Sequence, residues 1–227
     1  MNSSPTQPLK TNPPPNFFSD YSVVLSVPLK DVYTTLGTTA GHERVCKLSK
    51  LCSGFELLEK DAVELPTPRY PEGNKLKDVG VRTAVPTDEN GAAGQSNGAP
   101  RITRQHFTME ETVPLLFGMF KSRVLLKGTL SWDESVLSSI STPSPQTEPS
   151  SANAENDIEL HALYETMSDG GIIVWKLRTF TPEAGDPTKT RVTERIEGWA
   201  PMLLRPIVQS ETLKGHRAHM EQYHTLF

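Results

Sequence analysis

The sequence predicts an α+β domain in which a curved antiparallel sheet of about six to seven strands wraps on one long carboxy-terminal helix. Three observations support this class. Apolar and polar residues alternate with a period of two in most segments between residues 22 and 197. Two short helical patterns follow the first of these segments, and residues 202–227 carry one helical apolar stripe. A sheet of that size must curl around a single helix to bury both apolar surfaces.

The chain of 227 residues is expected to form one domain at residues 17–227, after a disordered tail at residues 1–16. Residues 87–100 and 138–157 are rich in Ser, Pro, Gly, Asn and Ala and poor in large apolar side chains. Such segments bury too little surface to offset the entropy of ordering them. They are therefore predicted to be disordered insertions in the domain.

Charge and composition exclude several kinds of partner. The net charge is -4 and no basic run occurs, which argues against nucleic acid. No signal segment and no stretch of membrane-spanning length are found, so a soluble cytoplasmic protein without an integral membrane segment is expected. Cys46 and Cys52 match no metal or redox spacing and are expected to be packing residues. The sequence predicts no oligomeric state.

The first half of the chain begins with a strand at residues 21–27, which Pro28 ends. The two helical patterns then occupy residues 29–36, stopped by Gly37, and residues 39–51. Further strands are predicted at residues 54–65, 78–85, 102–113 and 122–133.

The second half consists of a hairpin, one more strand and the final helix. An SDGG turn at residues 168–171 joins strands at residues 158–165 and 173–178. In the return strand, Ile173, Trp175 and Leu177 alternate with Lys176 and Arg178. The last strand, at residues 190–198, carries Glu194 on the same inward face as its apolar residues. Pro206 must either kink the helix at residues 202–227 or mark its true start.

The stripe of this helix is not uniformly apolar. A buried polar group costs free energy unless it finds a partner, so its polar members must pair in a core or line a cavity. The stripe consists of Met202, Gln209, Leu213, His216, Met220, Tyr223 and Phe227.

Glu194 and His216 are the main candidates for catalysis. Both lie on the inward side of their elements, and the last strand directly precedes the helix, so the two side chains are expected to meet across the interior. A desolvated carboxyl has a raised pKa, and a neighbouring imidazole can share or relay its proton. The alternative is a buried ion pair that ties the helix to the sheet.

The remaining histidines and the loop motifs suggest no cofactor. His161, His219 and His224 share faces with charged residues and are expected at a rim or in solvent. The histidines do not converge as a metal site requires, and neither a nucleotide-binding glycine loop nor a GxSxG elbow is present. We therefore expect neither a metal nor a cofactor.

Four segments carry a resemblance to a known superfamily. They are VPLKDVY at the first helix, LKGTLSWD in a middle strand, the hairpin ALYETMSDGGIIVWKLRTF, and the closing strand and helix TRVTERIEGWAPMLLRPIVQSETLKGHRAHMEQYHTLF. In this order they resemble the START-like, or Bet v 1-like, helix-grip (SRPBCC) superfamily, and the insertions resemble those of uncharacterised fungal members. The superfamily has no universal catalytic motif, so the resemblance speaks for the fold more than for the function.

Helix-grip proteins enclose an apolar cavity between the sheet and the last helix, and the resemblance implies such a pocket here. The alternative is that the same side chains fill a core. The implied ligand-binding residues are Val124, Leu126, Leu130, Trp132, Tyr164, Trp175, Gln209, Leu213, Met220 and Tyr223.

Three functions remain open at this point. The first is a cofactor-independent cyclase or isomerase that acts on a polyketide- or terpenoid-like intermediate of secondary metabolism. The second is a carrier or sensor of a lipid or sterol, and the third is an interaction module with a filled core. Binding of an apolar small molecule is favoured, because the inward polar residues are few and clustered.

Overall fold

The computed structural model describes residues 13–64, 76, 101–115, 120–132 and 158–227. The strands are β1 (Phe17–Leu25), β2 (Cys52–Glu64), β3 (Arg101–Leu115), β4 (Phe120–Trp132), β5 (Leu160–Ser168), β6 (Ile173–Glu183) and β7 (Asp186–Trp199). The helices are α1 (Leu29–Gly37), α2 (His42–Cys46) and α3 (Arg205–Met220), and a 3-10 turn follows at Tyr223–Leu226.

The seven strands form one sheet in the order β1-β7-β6-β5-β4-β3-β2, and every neighbouring pair is antiparallel. Helices α1 and α2 follow the first strand, and α3 closes the chain on the same face of the sheet, which we call the helix face. The predicted α+β class, with a curved antiparallel sheet and a carboxy-terminal helix in the helix-grip arrangement, is confirmed.

The first strand begins earlier than predicted, at Phe17 instead of residue 21. Just before it, the Asn16 amide donates to the Ala200 carbonyl at 2.8 Å and accepts from the Ala200 N–H at 3.0 Å. The Phe17 ring packs where a Cβ on Gly198 would stand. The ordered chain therefore includes Asn16, which the predicted tail contained. The insertions and the strand predicted at residues 78–85 lie outside the described residues.

Helix α2 is much shorter than the pattern at residues 39–51 predicted. After Cys46 the backbone bonds change from helical spacing to tight turns, with Ser49 N–H donating to the Cys46 carbonyl. The Leu51 carbonyl then accepts from Thr112 N–H of β3. The segment after α2 therefore delivers the chain to the sheet and cannot continue as a helix.

The prediction of one helix over residues 202–227 is wrong at both ends. Pro206 lies in the first turn of α3, where its missing N–H costs no hydrogen bond, so it marks the true start. The helix ends at Met220, and the 3-10 turn that follows places Tyr223 and Leu226 in the core.

Helix α3 packs along the edge strand β1. The Gln209 side chain accepts from the Phe18 N–H at 3.0 Å and donates to the Phe18 carbonyl at 2.8 Å, which satisfies free groups of that edge. Because the helix follows the edge, much of its stripe faces solvent: Met202 is 87% exposed and Leu213 is 50% exposed. Gln209 and Leu213 are therefore not cavity residues, and the middle of the sheet stays partly uncovered.

Apolar groups are buried on both faces of the sheet. The helix-face core contains Val32, Tyr33, Trp132, Phe180, Met220 and Tyr223, among others. A second cluster on the far face consists of Leu76, Ile102, Leu163 and Trp175. None of the helices within the described ranges has the length and apolar content needed to cross a membrane.

Candidate functional site

Two adjoining cavities lie on the helix face, between α3 and the middle of the sheet. The smaller cavity, of about 250 Å³, reaches between α2, α3 and strands β5 to β7. The larger cavity, of about 720 Å³, lies under the first half of α3 against β4, β5 and β6. Met109, Glu111, Tyr164 and Thr212 line both cavities. The space beneath the edge-bound helix is therefore a candidate site with two adjoining compartments that share part of their walls.

The structure distributes the residues predicted for the pocket among several environments. Val124, Leu126 and Tyr164 line the larger cavity, and Tyr164, Glu194 and His216 line the smaller one. Four of the other predicted residues are packed in the helix-face core and touch neither cavity. They are Leu130, Trp132, Met220 and Tyr223.

Strand β6 has the opposite orientation to the predicted one. Trp175 belongs to the far-face cluster, so the prediction that it lines the pocket is wrong. The helix face of the strand instead carries Lys176, which lines the smaller cavity, and the buried Arg178. The sequence pattern does not indicate Lys176 or Arg178 as a site residue.

An irregularity between β6 and β7 causes this inversion. Pairing changes from Glu183↔Asp186 to Pro182↔Thr190, a step of one residue in β6 against four in β7. Strand β7 therefore contains three additional residues at this point. Because three is an odd number, the side chains of one strand move to the opposite face of the sheet relative to those of the other strand. As a result Arg178 lies directly opposite Glu194 and shares its face. A regular hairpin that continued the Glu183↔Asp186 pairing would have placed Trp175 opposite Glu194.

Glu194 is completely buried and holds several elements together. One carboxylate oxygen accepts from the Arg178 Nε and from the Tyr223 hydroxyl, and the other lies 3.2 Å from His216 Nε2. Arg178 also donates to the Leu36 carbonyl at the end of α1 and to the Tyr223 hydroxyl. Burial raises the pKa of Glu194, but Arg178, Lys176 and His216 together outweigh this effect and hold the pKa well below its usual range.

His216 of α3 contacts both Glu194 and strand β1. Its Nδ1 lies 2.8 Å from the Ser19 hydroxyl of β1, while its other ring nitrogen faces Glu194. The two residues predicted to meet across the interior therefore do so. Because Glu194 is shared with Arg178 and Tyr223, the pair connects α3, β1, β6 and β7.

Lys176 places a charged side chain at the border of the smaller cavity. Its ammonium lies 3.6 Å from the nearer Glu194 oxygen and 4.7 Å from the centre of the Tyr164 ring. The side chain is 15% exposed and borders the smaller cavity. Burial lowers the pKa of Lys176, and Glu194 opposes this shift only in part.

Tyr164, between the two cavities, is held by α2. Its hydroxyl lies 3.3 Å from His42 Nε2 and 3.2 Å from Cys46 Sγ. The His42 ring packs edge-on against Phe107 and Tyr164, and burial followed by the charge of Arg178 lowers its pKa to about 3. Burial also raises the pKa of Cys46 to about 11. Near neutral pH this corner therefore holds a neutral imidazole, a thiol and a phenol.

Two further titratable residues, Glu111 and His219, line the cavities. The sequence pattern indicates neither of them as a site residue. Burial raises the pKa of Glu111, which borders both cavities. His219, predicted at a rim or in solvent, lines the smaller cavity, and burial followed by the charge of Lys176 lowers its pKa to about 3. Within the described ranges, no group of three or more potential ligands is arranged to hold a metal ion.

No protein-family model and no curated protein matches this sequence. Among solved structures, the chain is similar to the protein TTHA0849 from Thermus thermophilus, with 12% identity, a TM-score of 0.48, and coverage of 92% of this chain and 94% of that one. It is also similar to the Zhui aromatase/cyclase from Streptomyces sp. R1128, with 8% identity, a TM-score of 0.45, and coverage of 92% and 91%. Similarities this distant carry no argument about function, which has to come from the site.

Proposed function

We propose that this protein binds an apolar small molecule in the two adjoining cavities beneath α3. The observation that carries the proposal is the combination of their volumes, about 250 and 720 Å³, with wall surfaces that are mostly apolar, although polar and charged side chains border both cavities. Small-molecule sites have this composition, in which apolar surface supplies affinity and a few polar groups fix orientation.

The position of α3 supports the same function. Gln209 holds the helix at the edge of the sheet, and the Glu194–His216 contact holds its second half. The helix therefore covers the cavities without collapsing into them. An interaction module with a filled core would not need this separation between the helix and the sheet.

Thr212 offers a direct test, because it lines both cavities from α3. Thr212→Phe should fill the junction and weaken binding of the neutral fluorescent probe N-phenyl-1-naphthylamine, while the fold is retained. Leu213→Phe is the matched control, since this neighbouring side chain is half exposed and lines neither cavity. Equal binding by the two variants would refute binding in these cavities. Native mass spectrometry of the purified protein would show any ligand that it retains.

A second candidate is cofactor-independent cyclisation or isomerisation of a polyketide- or terpenoid-like molecule in the cytoplasm. The arrangement at the junction of the cavities favours it: Glu111, whose pKa is raised, can take up a proton, and Tyr164 and Lys176 can stabilise a developing oxyanion. In this proposal Glu194 and His216 act by positioning Lys176.

The two candidates differ in what Glu111→Gln would do. For an enzyme, the substitution should abolish turnover of an apolar-metabolite extract, followed by mass spectrometry, and leave probe binding intact. Unchanged product formation would exclude Glu111 as the base, and no product with wild-type protein would favour simple binding.

A further inference from the structure

The ammonium of Lys176 has no close acceptor among the described residues. Its nearest carboxylate oxygen, on Glu194, is 3.6 Å away, which is beyond a good hydrogen bond. Its other close neighbour is the face of the Tyr164 ring. Three N–H donors therefore meet an apolar cavity, and a buried charge in such a place is costly unless it is paired.

Glu194 cannot serve Lys176 fully, because its charge is already shared. Arg178 takes the short hydrogen bond to Oε1, and the Tyr223 hydroxyl donates to the same oxygen. Arg178 in turn donates to the Leu36 carbonyl and to the Tyr223 hydroxyl, and it lines neither cavity. Two buried cations thus face one carboxylate.

No carboxylate other than Glu194 lies within ion-pair distance of Lys176 among the described residues. Burial raises the pKa of Glu111, the other acidic residue that lines the smaller cavity. His42 and His219 both have a pKa of about 3 and are neutral near pH 7. The ammonium of Lys176 therefore has one counter-ion, which lies beyond hydrogen-bond distance and is shared with Arg178.

We infer that the ligand of this site is an apolar carboxylic acid whose carboxylate pairs with Lys176 in the smaller cavity. This inference rests on the proposed binding function and names its ligand class. The apolar body would extend past Met109 and Tyr164 into the larger cavity. An ammonium whose only counter-ion among the described residues lies beyond hydrogen-bond distance matches a monoanion such as a carboxylate.

The test compares two probes of one shape, 2-naphthoate and 2-naphthylmethanol, by isothermal titration calorimetry at neutral pH. Wild-type protein should bind the acid at least about tenfold more tightly, because a charge-assisted hydrogen bond in a desolvated site adds that much. Lys176→Met should bind the acid no more tightly than the alcohol. The exposed Lys127, which lines neither cavity, provides the control Lys127→Met, which should keep the preference.

The outcomes separate this inference from the function on which it rests. Equal binding of acid and alcohol by the wild-type protein overturns the ligand class and leaves the binding function standing, and this comparison needs no variant. A preference that persists in Lys176→Met assigns the anion to another group and also overturns the inference. If neither probe nor N-phenyl-1-naphthylamine binds, the binding function itself fails.

Discussion

Replacing Glu194 by Gln should destabilise the protein by about 3 to 5 kcal/mol, the usual cost of removing one partner of a buried ion pair. Glutamine keeps the shape of the side chain and can still accept a hydrogen bond. The loss would therefore come from the charge, because the guanidinium of Arg178 would stay buried without a counter-ion. In a domain of this size that corresponds to a fall in melting temperature of roughly 6 to 20 °C.

Urea and thermal unfolding of matched variants would measure this effect. Glu211→Gln is the control, because Glu211 pairs with Lys214 on the exposed face of α3 and should contribute about 1 kcal/mol or less. The double variant Arg178→Met/Glu194→Gln should be more stable than Glu194→Gln alone, since the unpaired guanidinium is gone.

This explanation would be refuted if the free energy of unfolding of Glu194→Gln lay within about 1 kcal/mol of the wild-type value. A higher melting temperature together with weaker probe binding would point instead to a functional carboxylate that sacrifices stability. The pH dependence has a definite sign as well. Because the folded-state pKa of Glu194 is depressed, its contribution is present above its usual pKa and is lost as the pH falls through the lower folded value.

Three other predictions concern burial around the cavities. The pKa of His42 and that of His219 are both about 3 in the folded protein against 6.5 in the unfolded chain, so each should lower the stability by about 2 kcal/mol between pH 7 and pH 5. In urea titrations His42→Phe should lose only the share of this slope that His42 contributes. Cys46, buried and with a pKa of about 11, should resist iodoacetamide in native protein at pH 8, whereas the half-buried Cys52 should react first, as peptide mass spectrometry would show. In thermal melts Gly198→Ala should destabilise by about 1 to 3 kcal/mol, because its methyl group would collide with an aromatic ring, whereas Gly215→Ala meets no atom within 4 Å and should stabilise α3 by about 0.5 to 1 kcal/mol.

The order and type of the elements could be predicted because they depend on local patterns. Period-two alternation indicates several of the strands that the structure describes, Gly37 indicates the end of α1, and Pro206 indicates either a kink or the start of α3. The inward position of Glu194 was also predictable, since it shares a face with apolar neighbours in β7. These features require no knowledge of which strands pair or where the helix rests on the sheet.

The position of α3 could not be predicted, because it depends on a contact distant in sequence. The helical stripe indicated burial of Leu213 together with His216, yet only His216 is buried. The deciding contact is Gln209 with the backbone of Phe18 at the sheet edge. An edge strand presents free N–H and C=O groups, and one amide side chain can satisfy both. The polar residue that seemed to interrupt the stripe is therefore what sets the position of the helix.

The orientation of β6 shows why the charged part of the site was missed. Trp175 and Lys176 are adjacent, so one of them must face the cavities, and hydrophobicity favours Trp175. Hydrophobicity does not determine the orientation of β6, because Trp175 is also buried on the far face, where it packs beside Leu76. With both faces able to accept apolar groups, the pairing of Arg178 with Glu194 and the irregularity at Pro182 select the register. That register places Lys176 at the smaller cavity, where it would pair with the carboxylate of the proposed ligand.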